Sequence, residues 1–328
     1  MKYLKELLLV PFLLVLAPTA IAWDSVGHRI TAAVAYEYLS ADTRSRLIRI
    51  LQSHPRYAED FLGEMPAFVD RDDEVELQTW LLGQAAFWPD MARGLPDSAR
   101  TRYNRPAWHF TDGAWVRDAA RLQGNVYVDL GPFADITGTP ATEIRSQRDV
   151  NNVVTALDYN ARLLAAADTD PASRALALCW VLHLVGDIHQ PLHTGSAFSR
   201  SRLRDGDRGG NAIPTNDGNL HARWDSALRA QGVRAGTEHI LASLDGNAEA
   251  SGTSMDWTRW LSDSRLLLHS AVYSPEILAA IRRAEQQGNA IAAVDLGPDY
   301  MEQMQRLAQQ QLGLAGLRLA TWFKNELN

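Results

Sequence analysis

The sequence is poor in cysteine and contains no signal for N-linked glycosylation. Cys179 is the only cysteine among 328 residues, which excludes an intramolecular disulfide. No asparagine stands in an Asn-x-Ser/Thr sequon, so no glycosylated surface is indicated. The chain must therefore take its stability from its hydrophobic core and from any bound metal. Its hydrophobic content of 46% is ample for such a core.

The chain also lacks an excess of positive charge. Its formal net charge at pH 7 is −7. Proteins that bind duplex nucleic acid by electrostatic attraction carry a basic face, so the net negative charge of this chain argues against that class. It does not exclude an enzyme that engages a few phosphates through metal ions.

Long hydrophobic runs are missing except at the start. Lys2 and Lys5 precede an apolar run from Leu7 to Ala17, and Ala20 to Ala22 forms a small-residue cleavage signal. This pattern predicts a secretory signal peptide over residues 1–22, with export to the periplasm or the medium. The alternative is an uncleaved anchor, although the run is too short to span a bilayer. Cleavage would remove two lysines and one glutamate, changing the net charge from −7 to −8 and leaving Trp23 first.

Helical periodicity dominates the remaining residues, 23–328. Helices are predicted over Ala67 to Leu82 and Glu143 to Ala167, and the chain from Thr237 onward is mostly helical. No stretch shows sustained strand alternation, and no repeat is visible. We expect one all-α domain without stable membrane association.

The stretch from Trp180 to His193 concentrates polar side chains at the end of an apolar run. His183 and Asp187 are four residues apart, so they share one face of a helix. Pro191 should end that helix and direct His193 along a different vector. Buried imidazole and carboxylate groups are costly unless they are satisfied, and both are zinc ligands. A hydrogen-bonded helix pair without metal remains the alternative.

The predicted mature terminus offers a second group of ligands. His28 lies five residues after Trp23, at the head of a helical pattern. A free amine and carbonyl of Trp23 could chelate a metal together with His28. The alternative is that Trp23 is simply packed in the core.

Three further stretches carry isolated candidates. Asp90 follows Trp88-Pro89, where the alternative is an acidic cap at a helix N-terminus. His109 lies between Trp108 and Phe110, where the alternative is a buried histidine among aromatic rings. His221 and Asp225 form a second helical pair four residues apart.

In this order and spacing, these motifs resemble the trinuclear-zinc single-strand nucleases of the S1/P1 type, found in fungi, plants and bacteria. The resemblance rests on the terminal Trp with its nearby His and on WPDMAR, WHFTD, HLVGDIHQPLH, RGGN and HARWD. It implies a single mostly helical domain of the zinc-dependent phospholipase C and single-strand nuclease type. The absence of disulfides and sequons differs from the fungal members and suggests a bacterial-type protein.

The resemblance also implies three zinc sites, in which Asp187 bridges two ions. The implied ligand sets are Asp90, His109, His183 and Asp187; the Trp23 amine and carbonyl, His28 and Asp187; and His193, His221 and Asp225. Arg93 matches an arginine that neutralises the transition state, and Asp187 and Arg93 are the expected catalytic residues. Substrate contacts are expected from Phe110, Asp112 and Asn211. His189 is expected to have a structural or supporting role.

The implied activity is a secreted zinc-dependent endonuclease acting on single-stranded DNA and RNA as a monomer. A metal-activated hydroxide would cleave the P–O3′ bond and leave 5′-phosphates, and 3′-nucleotidase activity would follow from the same geometry. Stacking on an aromatic ring tolerates any base and favours single strands.

Two other functions are consistent with a zinc site. A zinc-dependent phospholipase C shares the fold, but there the first His lies further from the terminal Trp and the last pair is HxxxE. A secreted zinc-binding protein without catalysis would leave Arg93, Phe110 and Asp112 without a purpose.

Overall fold

A long apolar helix, Pro171–Ile188, is packed on all sides by other helices and carries His183 and Asp187, in the first part of the predicted metal motif. The computed structural model describes residues 23–111, 127–128, 146–244 and 256–327. The predicted signal peptide and Asp112 lie outside the described residues. Within them the architecture is mostly helical, which confirms the expected all-α class.

The described helices are numbered here in chain order. They are α1 (Ser25–Glu37), α2 (Ala41–Leu51), α3 (Glu74–Met91), α4 (Asp97–Tyr103), α5 (Val153–Ala165), α6 (Pro171–Ile188), α7 (Leu220–Asp225), α8 (Gly232–Ser243), α9 (Trp257–Leu267), α10 (Pro275–Gln287) and α11 (Pro298–Glu326). Short 3₁₀ and π-helical turns connect several of them, including Pro106–His109 and Pro191–His193.

The strands in the described residues are two residues long and form two antiparallel pairs. β1 (Tyr127–Val128) pairs with β2 (Ala197–Phe198), and β3 (Pro214–Thr215) pairs with β4 (Gly218–Asn219). The second pair leads directly into α7, which carries His221 and Asp225.

Two predicted helix boundaries were wrong, and side-chain caps explain both. The helix expected over Ala67 to Leu82 begins at Glu74, because the Asp73 carboxylate accepts hydrogen bonds from the first backbone N–H groups. It continues through Pro89, so Asp90 lies in its last turn and is not an N-terminal cap. The helix expected over Glu143 to Ala167 spans Val153–Ala165, since Asn152 forms a capping box at its start.

The hydrophobic core contains two clusters that meet along α1. One surrounds α6 and is formed with α2, α3, α5 and the end of α11. The other is built from α7, α8, α10 and the first half of α11. Helix α1 contributes to both, so His28 is held between them. Among the described residues, no helix combines the length and apolarity needed to cross a membrane.

Candidate metal centre

His183 and Asp187 lie one turn apart on α6, with both side chains fully buried. Their partner is His109, which ends the 3₁₀ turn Pro106–His109. The Nε2 of His183 and the Nδ1 of His109 each lie 3.1 Å from Oδ2 of Asp187. The same two nitrogens are 2.8 Å apart. Candidate ligand atoms from two distant parts of the chain, α6 and the turn that carries His109, therefore converge on one point.

His28 on α1 joins this group from the opposite side. Its ring stacks on His183 with centroids 3.9 Å apart, and its Nε2 is 3.5 Å from Oδ1 of Asp187. Asp90 approaches from the end of α3, with Oδ2 3.9 Å from the same Nε2. Both oxygens of Asp187 thus face imidazoles, but different ones. This arrangement suits a carboxylate shared by two ions.

Trp23 lies beside these residues and is buried. Its indole Nε1 donates to the carbonyl of Gly186 at 3.0 Å, next to Asp187 in the chain. The backbone N–H of the following residue, Asp24, donates to the carbonyl of Asp225 at 3.0 Å. The backbone at Trp23 is therefore held between α6 and α7, the helices that carry four of the predicted ligands.

A separate cluster contains His193, His221 and Asp225. The Nε2 atoms of the two histidines are 3.3 Å apart, and Oδ2 of Asp225 is 3.3 Å from Nε2 of His221. His193 also lies 3.7 Å from Oδ1 of Asp187, measured from Nδ1. The two clusters are thus neighbours along the turn that follows α6.

Backbone carbonyls set the tautomers of three imidazoles. The Nδ1 of His183, His193 and His221 lies 2.8, 2.7 and 2.6 Å from the carbonyls of Ala86, His109 and Gly209. Each Nδ1 must donate, which leaves a lone pair on each Nε2. In the second cluster two such lone pairs face each other at 3.3 Å, where neither can donate to the other. A cation bound between them would resolve this conflict.

Several buried ligand atoms have no hydrogen-bond partner among the described residues. They are Nδ1 and Nε2 of His28, Oδ2 of Asp90, Nε2 of His109 and Oδ1 of Asp187. Buried polar groups are normally satisfied, so such a concentration requires an explanation. Nitrogen and carboxylate oxygen are the donor set of zinc. The residues present therefore fit bound metal ions.

The pKa shifts of His109, His193 and Asp187 favour the protonation states that bind metal, and those of three other candidates oppose them. Metal binding needs neutral imidazole and ionised carboxylate. Burial lowers the pKa of His109 to about 3 and that of His193 to about 4, so both imidazoles are neutral. Burial alone would raise the pKa of Asp187, but His183 and the hydrogen bond with His109 hold it well below its usual range. Burial raises the pKa of Asp90 to about 6 and that of Asp225 well above its usual range. Burial lowers the pKa of His183, but the charges of Asp187 and Asp90 outweigh it and raise that pKa.

Two predicted functional residues lie at the edge of the centre and reach solvent. Arg93 forms an ion pair with Asp90, with Nη2 2.8 Å from Oδ1, and its side chain is 20% exposed. Phe110, next to His109, is 37% exposed. Its position is fixed by its neighbour Thr111, whose N–H donates to the carbonyl of His193 at 2.8 Å.

Asn211 does not lie at the edge of the candidate metal centre, unlike Arg93 and Phe110. It lines a cavity of about 650 Å³ with Arg202, Pro214 and Asn219, and its amide donates to the carbonyl of Arg208 at 2.8 Å. The ligand clusters do not include it. Its loop nevertheless supports the centre, because the carbonyl of Gly209 holds His221.

Gln190 was missed by sequence reasoning, although it lies within the main motif. Its Nε2 donates to Oδ1 of Asp225 at 2.7 Å, and its Oε1 accepts from the N–H of Leu192 at 2.6 Å. It therefore orients a ligand of the second cluster from the end of α6. His189, for which a structural or supporting role was expected, is buried and contacts Arg318, with its Nε2 2.9 Å from Nη1.

Gly186 was also missed. A Cβ at this position would come within 2.9 Å of Nδ1 of His28. Only glycine allows α1 to bring His28 against α6. The sequence shows a glycine in an otherwise apolar helix, but it does not show that His28 packs against this glycine.

Comparison with known proteins places the chain among nucleases. The family model described as S1/P1 Nuclease matches residues 23–328. Nuclease S1 of Aspergillus oryzae is 25% identical, over 94% of this chain and 93% of its own length. Endonuclease 4 of Arabidopsis thaliana is 28% identical, over 92% of this chain and 88% of its own length. Nuclease P1 of Penicillium citrinum is 24% identical, over 76% and 93% respectively.

Proposed function

The chain belongs to the S1/P1 nuclease family, and we propose that it is a zinc-dependent endonuclease of single-stranded DNA and RNA. The family has the all-α, phospholipase C-like fold, as expected from the motifs. The observation that carries the proposal is the convergence of all eight side-chain ligand candidates into adjoining buried clusters.

Three zinc ions account for the ligand atoms. One ion would be held by Asp90, His109, His183 and Asp187. A second would be held by His28, Asp187 and the amine and carbonyl of Trp23. A third would be held by His193, His221 and Asp225. The opposed oxygens of Asp187 support its assignment to two ions, since Oδ2 faces His109 and His183 while Oδ1 faces His28.

Zinc ions bound at such sites act as Lewis acids and lower the pKa of water, which supplies a nucleophile for phosphodiester hydrolysis. The protein supplies charge and orientation. Arg93 presents a fixed fork of donors at the edge of the centre, where it can neutralise charge that develops on the phosphate. We assign Asp187 and Arg93 as the catalytic residues, with cleavage of the P–O3′ bond, 5′-phosphate products and 3′-nucleotidase activity.

The exposed ring of Phe110 supports a preference for single strands. Because it adjoins His109, a base stacked on it would leave the neighbouring phosphate close to the ligand clusters. A duplex hides its bases inside the helix stack, so it cannot use this surface without opening. Asp112 and Asn211 are assigned further substrate contacts in this proposal.

We assign residues 1–22 to a cleaved export signal and 23–328 to the enzyme, a monomer released to the periplasm or the medium. Cleavage after Ala22 would create the amine that ligates zinc, so export and assembly of the centre would be linked. Mass spectrometry of the secreted protein tests this assignment: an N-terminus other than Trp23 contradicts it.

The decisive experiment uses the protein that begins at Trp23, loaded with zinc. A single-stranded oligonucleotide, the matching duplex and phosphatidylcholine are incubated in parallel, with and without a chelator, and the product ends are identified. We expect chelator-sensitive cleavage of the single strand, with 5′-phosphate ends and a slower reaction on the duplex. Hydrolysis of lipid without cleavage of nucleic acid would instead establish the phospholipase alternative.

A matched pair of arginine variants tests the assignment of Arg93. Arg93 pairs with Asp90 three residues before it, and Arg100 pairs in the same way with exposed Asp97. We expect Arg93→Ala to lower kcat by roughly 100-fold to 1,000-fold, as for loss of a transition-state donor, with little loss of zinc. Arg100→Ala should retain the parent rate. Equal rates for the two variants would remove Arg93 from the mechanism.

A further inference from the structure

A cavity of about 800 Å³ opens between α1, α3 and α8, and we call it the α1–α3–α8 cavity. On α1 it is lined by a stripe that includes Val26, Arg29 and Ala33, on a different face from His28. None of the predicted metal ligands borders it. Its volume lies within the range of small-molecule sites.

Arg29, which is partly buried, supplies a positive charge to this cavity. Its Nη2 donates to Oε1 of Gln84, and its guanidinium carbon lies 4.4 Å from the ring centroid of Trp80. Its Nη1 is buried without a hydrogen-bond partner, and no carboxylate among the described residues forms an ion pair with it. Burial lowers its pKa to about 10. A partly buried cation without a counter-ion is costly, which indicates that an anion belongs beside it.

Two more unpaired polar groups border the same space. The indole Nε1 of Trp80 and the hydroxyl of Thr237 are buried and have no hydrogen-bond partner among the described residues. Unsatisfied groups of this kind are few in folded proteins. Three such atoms, in residues on the three helices that line one cavity, leave hydrogen-bonding capacity that a bound ligand could satisfy.

The rest of the lining indicates what kind of anion fits. Apolar side chains such as Val26, Val69, Val233 and Leu241 form much of the wall. A ligand that fills this space must therefore have an apolar body as well as its charged group.

The rim excludes ligands with several negative charges. Glu37, Asp73, Glu76 and Glu238 lie at the edge of the cavity, against a single rim cation, Arg234. A nucleic-acid strand or a nucleotide with a doubly charged phosphate would be repelled there. The single partly buried cation matches a single negative charge.

We propose that the α1–α3–α8 cavity binds a hydrophobic monocarboxylate, with its carboxylate at Arg29 and its apolar body along α8. This site is separate from the metal centre and independent of the nuclease function.

The test compares three ligands that share one alkyl chain, namely decanoate, decanol and decylammonium, by isothermal titration calorimetry. The protein is the zinc-loaded chain from Trp23. We expect decanoate to bind one site at least about tenfold more tightly than decanol, because a hydrogen bond to a partly buried charge adds to the apolar contact. Tighter binding of decylammonium would show that the rim carboxylates dominate, and it would overturn the proposal.

Variants locate the site. Arg29→Met should remove the preference for decanoate over decanol, and Arg100→Met, outside the cavity, should keep it. Val233→Trp should weaken both ligands by filling the cavity, and Thr237→Val should weaken decanoate alone. The last two variants decide the question if Arg29→Met does not fold. Unchanged decanoate affinity in Val233→Trp, or no saturable binding by the parent protein, would overturn the proposal.

Discussion

Gln190 offers a sharp test of the metal centre, because one atom can be changed while the rest of its contacts are kept. Its Nε2 donates to Oδ1 of Asp225 at 2.7 Å, and its Oε1 accepts from the N–H of Leu192. The substitution Gln190→Glu keeps the acceptor and replaces the donor with a second oxygen. Leu192 therefore stays bonded, and the turn that carries His193 is preserved.

The size of the effect follows from this distance. Two carboxylates 2.7 Å apart repel each other by about 6 kcal/mol at an effective dielectric constant near 20. The pair would therefore hold a shared proton rather than ionise fully. A proton shared with Asp225 would compete with a metal ion for the same carboxylate. Supporting residues of this type usually change metal affinity by about 10-fold to 100-fold, and we expect a loss in that range at one of three ions.

Competitive titration with a zinc chelator measures this loss, together with cleavage of a single-stranded oligonucleotide. Gln78 provides a matched control, since it is also buried and its Nε2 donates to a carboxylate, Oε1 of Glu74, at 2.8 Å. We expect Gln78→Glu to keep all of its zinc, whereas Gln190→Glu gives up one ion first. Identical titration curves for Gln190→Glu and the parent would refute a role for Asp225 in metal binding.

Three other changes test separate parts of the structure. Asp187→Asn should release two ions together and abolish cleavage; loss of only one ion by elemental analysis would contradict the bridging role. One extra residue before Trp23 should lower zinc content by one ion, and unchanged content would show that the terminus is not a ligand. His54 concerns stability: burial lowers its pKa from 6.5 to about 3, so it penalises folding as pH falls from 6.5 towards 3. The difference in Tm between His54→Leu and the parent should therefore shift in favour of the variant as the pH is lowered from 7 to 4. A difference in Tm that stays constant over this range would be inconsistent with that pKa.

The ligand side chains could be predicted because their chemistry is carried by residue type and local spacing. His183 with Asp187 and His221 with Asp225 lie on one face of a helix whatever surrounds them, and the structure places both pairs on helices. That these two pairs belong to one centre was predicted from the family resemblance and not from helical periodicity. Asp90 illustrates the limit of local sequence, because its neighbours also fitted a helix N-terminus. In the structure the helix begins at Glu74, where Asp73 caps it, and Asp90 lies in its last turn.

The supporting residues could not be predicted because their roles depend on contacts between distant segments. The carbonyl of Gly209 orients His221, and a Cβ on Gly209 would lie 2.2 Å from the carbonyl oxygen of Leu192. Its φ of +59° also favours glycine. From sequence alone, this glycine is only part of a polar loop. Its function becomes visible when the loop is packed against the turn after α6.

Reciprocal backbone contacts join the metal centre to the surface proposed for the base. The carbonyl of His109 orients His193, and the carbonyl of His193 in turn holds the N–H of Thr111. Phe110 lies between these two anchor points, so its exposed ring is positioned by the backbone of two predicted ligands. A zinc-storage protein would have no use for a rigidly held aromatic ring at this edge. The same contacts predict that loosening either cluster also displaces Phe110, so the surface proposed for the base and the candidate metal centre are structurally coupled.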